Sequence, residues 1–383
     1  MQKLSGYIDE LVLKPKLRYL FWEATTRCNC SCRHCGSDCG VGEFAGMSGS
    51  SESGEQTEFA ESEGSLTAEE MCGFLDQVAR DFSPRGVMLC ITGGEPLMRR
   101  DLFDVMAHAA RLGFLWGMTS NGVLISDDVV RKMADTNCKT VSVSLDGLKH
   151  SHNALRGNRE LHLKHDSNEN RQDDCFEEAI AGIKRLVKSK SFTNVQVTTV
   201  LHKGNFHELE DMYTLVEALG VDSWRLTNIE PIGRANQMKE DFLSADDFHA
   251  LFAFIRSHRQ KRSKVPVTFG CSHYVTPEYE MDVRDDFFIC GAGILIASIL
   301  HNGDIYGCPD IERKYGLVQG NIRKDRFADI WASGFSQFRQ RRDMTNPVCA
   351  GCPDASFCRG DSAHTWDFDN CLPKLCLKEQ WRF

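Results

Sequence analysis

No stretch of this 383-residue chain is long and apolar enough to span a bilayer. The longest apolar run, Gly291 to Leu300, falls well short of the roughly 20 residues a spanning helix needs. The first residues, Met1 to Lys16, mix Lys3, Asp9, Glu10 and Lys14 with short apolar runs and contain no signal-like hydrophobic segment. Basic charge is also short: 45 Lys and Arg stand against 54 Asp and Glu, a net charge of −9. That balance argues against a nucleic-acid partner or an anionic membrane surface. Internal repeats are lacking too. The expected setting is the reducing cytoplasm, without membrane insertion.

Cysteine, by contrast, is abundant, with 17 residues. In a reducing compartment so many thiols point to metal ligation or catalysis more than to disulfides. Hydrophobic residues make up 42% of the chain, enough for a sizeable core. The length is well above the ~150 residues that set a prior for one domain.

Six strand–helix units can be read along the chain. The strands fall at Tyr19–Thr25, Val87–Thr92, Phe114–Ser120, Thr140–Leu145, Asn194–Leu201 and Ser223–Ile229, all short and rich in β-branched and aromatic residues. Helical patterns lie between them. Thr67 and Glu70 form a capping box ahead of Met71, Phe74, Leu75, Val78 and Phe82. Asp101–Leu112 starts on an N-cap aspartate and stops at Gly113. Ser126–Asp135, Asp174–Lys188, Phe206–Leu219 and Ala245–Arg259 follow. This alternation predicts an α/β fold with a parallel sheet. Six units are fewer than the eight of a closed barrel, so a partial (β/α)6 TIM-like barrel or an open sheet fits. Residues 1–261 form this part; residues 262–383, where alternation gives way to cysteines, form a second, metal-dependent module. Gly40–Ser65, rich in Gly, Ser and Glu, reads as a flexible acidic loop. A lid that orders over substrate is the minority reading. Arg156–Asp174 is a second polar loop.

The first strand runs directly into Cys28, Cys32 and Cys35, a C-x3-C-x2-C spacing. A short loop of that spacing can wrap three thiolates around one iron–sulfur cubane. One iron then stays open, as a catalytic metal requires. A zinc knuckle is the competing reading, but zinc prefers paired C-x2-C groups, and no second pair completes itself here. Cys30 and Cys39 are extra and read as bystanders, though Cys39 is close enough to be a spare ligand. At the end of the first strand of a parallel barrel, where such folds place their chemistry, this motif resembles the radical S-adenosylmethionine (SAM) superfamily.

The resemblance implies a [4Fe–4S] cluster on Cys28, Cys32 and Cys35, with SAM chelating the open iron. Thr92-Gly93-Gly94-Glu95-Pro96 is similar to the family segment whose backbone contacts the SAM amino group. Ser144 and Asp146 match the family's S-x-D-G, and Arg156 is a further SAM contact by the same likeness. Thr198, on strand five, is a candidate SAM or substrate contact, and Arg234 a candidate for the methionine carboxylate. The chemistry implied is reductive cleavage of SAM to a 5′-deoxyadenosyl radical, which abstracts hydrogen from substrate.

The late cysteines have their own pattern. Cys290, Gly303 and Cys308 are followed by Cys349-x2-Cys352-x5-Cys358, then Cys371 and Cys376. A zinc ribbon would suit Cys349 and Cys352 equally well. Together with the N-terminal motif, the spacing resembles the SPASM extension, which implies two auxiliary [4Fe–4S] clusters. Where the family pattern has a further cysteine, this chain has Ser362. Cys271, Cys371 and Cys376 are candidates for the missing ligand. Cys271, Cys290 and Cys308 with one late cysteine would complete one cluster; Cys349, Cys352 and Cys358 with another would complete the second. Asp310, close to Cys308, is a candidate acid for taking a proton from an oxidised substrate radical, with a surface aspartate as the competing reading.

SPASM proteins resemble maturases, so a peptide or small-protein side chain is the expected substrate, and the details of the cluster loop lean toward a branch with lipoprotein-like partners. A low-potential donor such as flavodoxin or ferredoxin is expected to supply electrons. The residues before strand one are too few for a folded leader-binding domain, so a leader would dock on the barrel, the second module or a separate protein. A dehydrogenase acting on a small molecule and a non-catalytic metal scaffold are the alternatives.

Overall fold

The structure, a computed structural model, describes residues 2–37, 39, 64–157, 174–270 and 273–380. Cys271 and most of the two expected polar loops lie outside the described residues.

Helix α1 (Gln2–Leu13) precedes strand β1 (Tyr19–Glu23). Then come α2 (Ala68–Asp81), β2 (Met88–Thr92), α3 (Leu102–Leu112), β3 (Leu115–Ser120), α4 (Asp127–Asp135) and β4 (Cys138–Ser144). Two helices, α5 (Lys149–Arg156) and α6 (Cys175–Ser189), lead to β5 (Asn194–Leu201), α7 (Leu209–Leu219), β6 (Ser223–Asn228) and α8 (Ala245–Gln260). The local signals act as the sequence pattern predicts. Thr67 and Glu70 close a reciprocal capping box on α2. Gly113 ends α3 at a φ of 93°, a left-handed position that glycine takes without strain. Helix α5 was not expected, because its short polar sequence gives only His152 and Leu155 to the core.

Strands β1 to β6 are all parallel neighbours in chain order. A seventh parallel strand, β7 (Val267–Phe269), pairs with β6. It lies in the region where the alternation fades, and three residues are too few to show a period. On the other side, β1 pairs in parallel with β8 (Ile296–Ile299). Strands β9 (Asp304–Tyr306) and β10 (Gly320–Asn321) extend that edge antiparallel. The second module is therefore continuous with the sheet through β8. Its remaining pieces are short helices, among them α9 (Phe327–Ser333), and a small antiparallel pair of Trp366–Asp367 with Leu372–Pro373.

The two faces of the sheet differ. Leu20, Trp22, Leu89, Ile91, Val141, Val143, Val195, Val197, Trp224 and Leu226 are fully buried against the helices. The opposite face, with Thr140, Ser142, Ser144, Gln196, Thr198, Ser223 and Arg225, is half-exposed and polar. In a filled barrel this face would be apolar and packed. Here it is left polar and partly open, as a face that receives a ligand would be. Among the described residues no helix is long and apolar enough to cross a membrane.

Candidate active site

Strand β1 delivers the chain to the C-terminal edge of the sheet. Three devices hold it there. Arg99, almost fully buried, donates to the carbonyls of Ala24 and Leu66 at 2.8 Å each. The amides of Gly94 and Glu95 donate to the carbonyls of Thr25 and Arg27, both at 2.8 Å. A Cβ on Gly93 would sit 2.4 Å from the Thr25 oxygen, and one on Gly94 2.1 Å from that of Arg27. These glycines let the segment after β2 press against the backbone that leads into Cys28. Close approach to the cluster loop is thus one physical reason for both glycines.

Glu95 turns away from solvent. Its carboxylate accepts from Ser120 Oγ (2.9 Å), the Asn121 amide (2.8 Å) and the Leu97 amide (3.3 Å). Burial pushes its pKa up to about 7. Asn121 in turn reaches Asn29 Oδ1 at 2.7 Å, between Cys28 and Cys30. Glu95 thereby fixes the end of β3 against the cluster loop.

That loop gathers thiols. Cys28, Cys30, Cys32, Cys39 and Cys175 form one buried patch, with Cys35 packed against it. Cys175, from the start of α6, joins the group from far along the chain. Six sulfurs on one face suit a soft iron–sulfur cluster.

Charged groups surround the patch. Arg156 Nε donates to Asp146 Oδ2 at 2.5 Å, and its Nη1 lies 3.6 Å from Cys32 Sγ. His34 Nε2 stands 3.3 Å from the same Asp146 oxygen. Asp146, fully buried, also accepts from the Val200 amide at 2.8 Å. Burial opposes its charge, but Arg156 and His34 outweigh burial and hold its pKa at about 2. Burial lowers His34 to about 4, so it is neutral at pH 7. The Ser144–Thr198 pair stands side by side in the β4–β5 register, and Thr198 Oγ1 is 2.7 Å from Ser142 Oγ. Arg234 Nε donates to the Cys32 carbonyl (2.8 Å) and its Nη1 to that of Cys39 (2.9 Å). The structure thus brings Ser144, Asp146, Arg156, Thr198 and Arg234 to one end of the sheet, with Arg156 and Arg234 directed at the cluster loop.

In the second module, Cys349, Cys352, Cys358 and Cys376 line a single cavity of about 280 Å³. Cys371 is not among its lining residues; its Sγ lies 3.9 Å from the Phe368 carbonyl. Cys290 Sγ accepts from the Ala363 amide at 3.3 Å, beside buried Ser362. Four thiols around a cavity are a fitting donor set for one auxiliary cluster. Asp310 stands exposed, its Oδ2 3.9 Å from Cys308 Sγ. It lines a cleft of about 160 Å³ together with Gly36, Ile232, Asn236, Glu312, Arg313 and Lys374.

Sequence reasoning missed the residues joining the two modules. Glu230, in the loop after β6, meets His364 Nε2 at 2.8 Å and His273 Nε2 at 3.2 Å. His273 Nδ1 is 2.8 Å from Asp361 Oδ2. Glu23, at the end of β1, meets His301 at 3.0 Å and Arg313. Burial works against charge on Glu230, yet the two histidines hold its pKa well below the usual carboxylate range. Burial also opposes the His364 imidazolium, but Glu230 raises it to about 9. These pairs are far apart in sequence and form no motif.

A parallel sheet with a cysteine loop at its C-terminal edge, joined to a cysteine-lined module, defines an iron–sulfur enzyme of the SAM-cleaving class. The radical SAM superfamily model matches residues 22–216, and the model for the SPASM iron–sulfur cluster-binding domain matches residues 290–353. The chain belongs to the radical SAM superfamily: it is a radical SAM enzyme with a SPASM domain, using SAM and [4Fe–4S] clusters. The AdoMet-dependent heme synthase of Nitratidesulfovibrio vulgaris is 25% identical over 371 residues, covering 92% of this chain and 89% of that protein. The mycofactocin maturase MftC of Mycobacterium tuberculosis is 26% identical over 345 residues, covering 89% and 77%. Among solved structures, Streptococcus suis SuiB bound to its precursor peptide SuiA gives a TM-score of 0.65 at 16% identity, covering 94% of this chain and 74% of that one. Native anSMEcpe with bound AdoMet and the Kp18Cys peptide gives 0.70 at 16% identity, covering 96% and 94%. These likenesses support the fold.

Proposed function

We propose that this enzyme modifies a peptide or protein side chain, with Cys28, Cys32 and Cys35 holding the catalytic cluster. When bound, cluster and SAM supply a carbon radical that takes a hydrogen from substrate. The chain's own residues orient and shield. Gly93 and Gly94 bring their segment against the cluster loop, and Ser144 and Thr198 stand on the polar sheet face where SAM would lie. Asp146 and Arg156 fix the floor beside Cys32. Cys349, Cys352, Cys358 and Cys376 hold one auxiliary cluster; Cys290 and Cys308, with Cys271, are the candidates for the other.

The observation that carries the peptide reading is the cleft between cluster loop and second module. Its lining holds Asp310, Glu312, Arg313 and Lys374, charges of both signs. Small-molecule pockets are mostly apolar with few polar groups; a mixed polar cleft suits an extended chain with its own backbone and side-chain polarity. The likeness to MftC and to SuiB with its bound peptide points the same way. A reduced flavodoxin or ferredoxin of the cytoplasm would supply the electron.

The likeness to heme synthases favours a second reading, a tetrapyrrole substrate. Anaerobic reconstitution with SAM and dithionite separates the two. The peptide reading expects 5′-deoxyadenosine release to rise with a short peptide encoded beside the gene, and that peptide to change mass. Stimulation by Fe-coproporphyrin III, with no response to peptide, would establish the second reading instead.

A further inference from the structure

Six cysteines share the catalytic patch, and three suffice for the cluster. Cys39 is the extra cysteine whose side chain meets a ligand thiol and whose backbone shares a clamp with the ligand loop. Its Sγ lies 3.5 Å from that of Cys35. It is only 6% exposed. Its backbone is fixed by the same guanidinium that fixes Cys32: Arg234 spans the two carbonyls, while the Arg234 amide donates to the Cys35 carbonyl at 2.9 Å. Gly233, at a φ of 49°, makes this approach possible, since a Cβ there would lie 2.4 Å from the Cys35 oxygen. Cys39 is thus held against the Cys35 thiol by a clamp that also grips the Cys32 and Cys35 carbonyls.

We propose that Cys39 is the fourth thiolate of the catalytic cluster while SAM is absent. It caps the iron that Cys28, Cys32 and Cys35 leave open, and SAM displaces it. The exchange is not a redox step. Two bonds form from that iron to the amino nitrogen and carboxylate oxygen of SAM, one iron–sulfur bond breaks, and the departing Cys39 thiolate takes a proton from solvent. The cap would protect the resting cluster from losing its exchangeable iron. It would also weaken apparent SAM affinity by the fraction of open cluster, about tenfold if only about a tenth is uncapped.

The proposal rests on the ligand assignment of Cys28, Cys32 and Cys35, so the test separates the two. Full-length wild type, Cys39→Ala, Cys39→Ser and a Cys28→Ala/Cys32→Ala/Cys35→Ala variant are reconstituted anaerobically and their iron counted. Each is then treated with ferricyanide, which takes the electron released as a [4Fe–4S]²⁺ cluster loses Fe²⁺ to become [3Fe–4S]⁺. The triple variant gives the signal due to auxiliary clusters alone. Above that background, wild type without SAM is expected to show little [3Fe–4S]⁺ electron paramagnetic resonance signal and both Cys39 variants a strong one. The reduced-cluster signal of the Cys39 variants should also respond to about tenfold less SAM. Equal signals and equal SAM titrations in wild type and Cys39 variants would overturn the cap. Unchanged iron in the triple variant would overturn the ligand assignment, and the cap with it.

Discussion

Arg156 and Cys32 meet across the catalytic loop: the guanidinium Nη1 is 3.6 Å from the Sγ, while Asp146 holds the other side of the guanidinium at 2.5 Å. A fixed positive charge beside a cluster thiolate favours the electron-rich state. Arg156→Met is therefore expected to lower the reduction potential of the catalytic cluster, on the order of 100 mV in a partly buried setting. A redox titration followed by electron paramagnetic resonance checks this; an unchanged potential would separate Arg156 from the cluster.

The cavity in the second module makes a choice between two late cysteines. Cys376→Ala, like a Cys349→Ala/Cys352→Ala double variant, is expected to lose about one cluster's worth of iron, about four atoms per chain. Cys371→Ala is expected to keep it. Iron and sulfide counts on the reconstituted variants decide.

The contact of His364 with Glu230 carries a pH signature. The imidazole titrates near 6.5 in the unfolded chain and at about 9 in the folded one. Its stabilising charge is thus fully present below about pH 6.5 and is lost as pH rises through about 9. The melting temperature of the reconstituted protein should fall across that range. His364→Gln should start lower, by on the order of 2 kcal/mol at neutral pH, and show a flatter profile.

Removing Glu95 leaves the hydroxyl of Ser120 and the amides of Leu97 and Asn121 without their acceptor. Glu95→Ala is expected to destabilise the fold by about 2–3 kcal/mol and to loosen Asn121 from the cluster loop. Thermal unfolding reads the first effect and iron retention during gel filtration the second. Retained stability would place the support of the loop elsewhere.

Much of this was legible in the sequence. The strands β1 to β6 and the capping box at Thr67 follow from local periodicity and hydrogen-bonding chemistry, which act over a few residues. The C-x3-C-x2-C loop is legible because one short segment must wrap one cluster. Helix α5 escaped because its polar sequence is buried on only two residues, and β7 because it is too short to show a period. Glu230, His273, Asp361 and His364 escaped for a different reason. The contacts of Glu230 with His273 and His364 cross between the two parts of the chain, that of His273 with Asp361 joins distant segments of the second, and nothing within any one segment marks them. The two arginines illustrate the same limit: their presence near the site follows from sequence, while their direction toward Cys32 depends on the fold.

The pairing of β1 with β8 has a consequence for how the protein is made. Strand β1 leaves the ribosome before the strands it pairs with, but the strand that covers its outer edge arrives only after β2 to β7. Until then a hydrophobic edge strand leading into a cluster of reactive thiols stays open to other chains. The last-made module thus closes the first-made strand, and a chain cut short before Ile296 would be left with a sticky edge beside its most oxidation-sensitive loop.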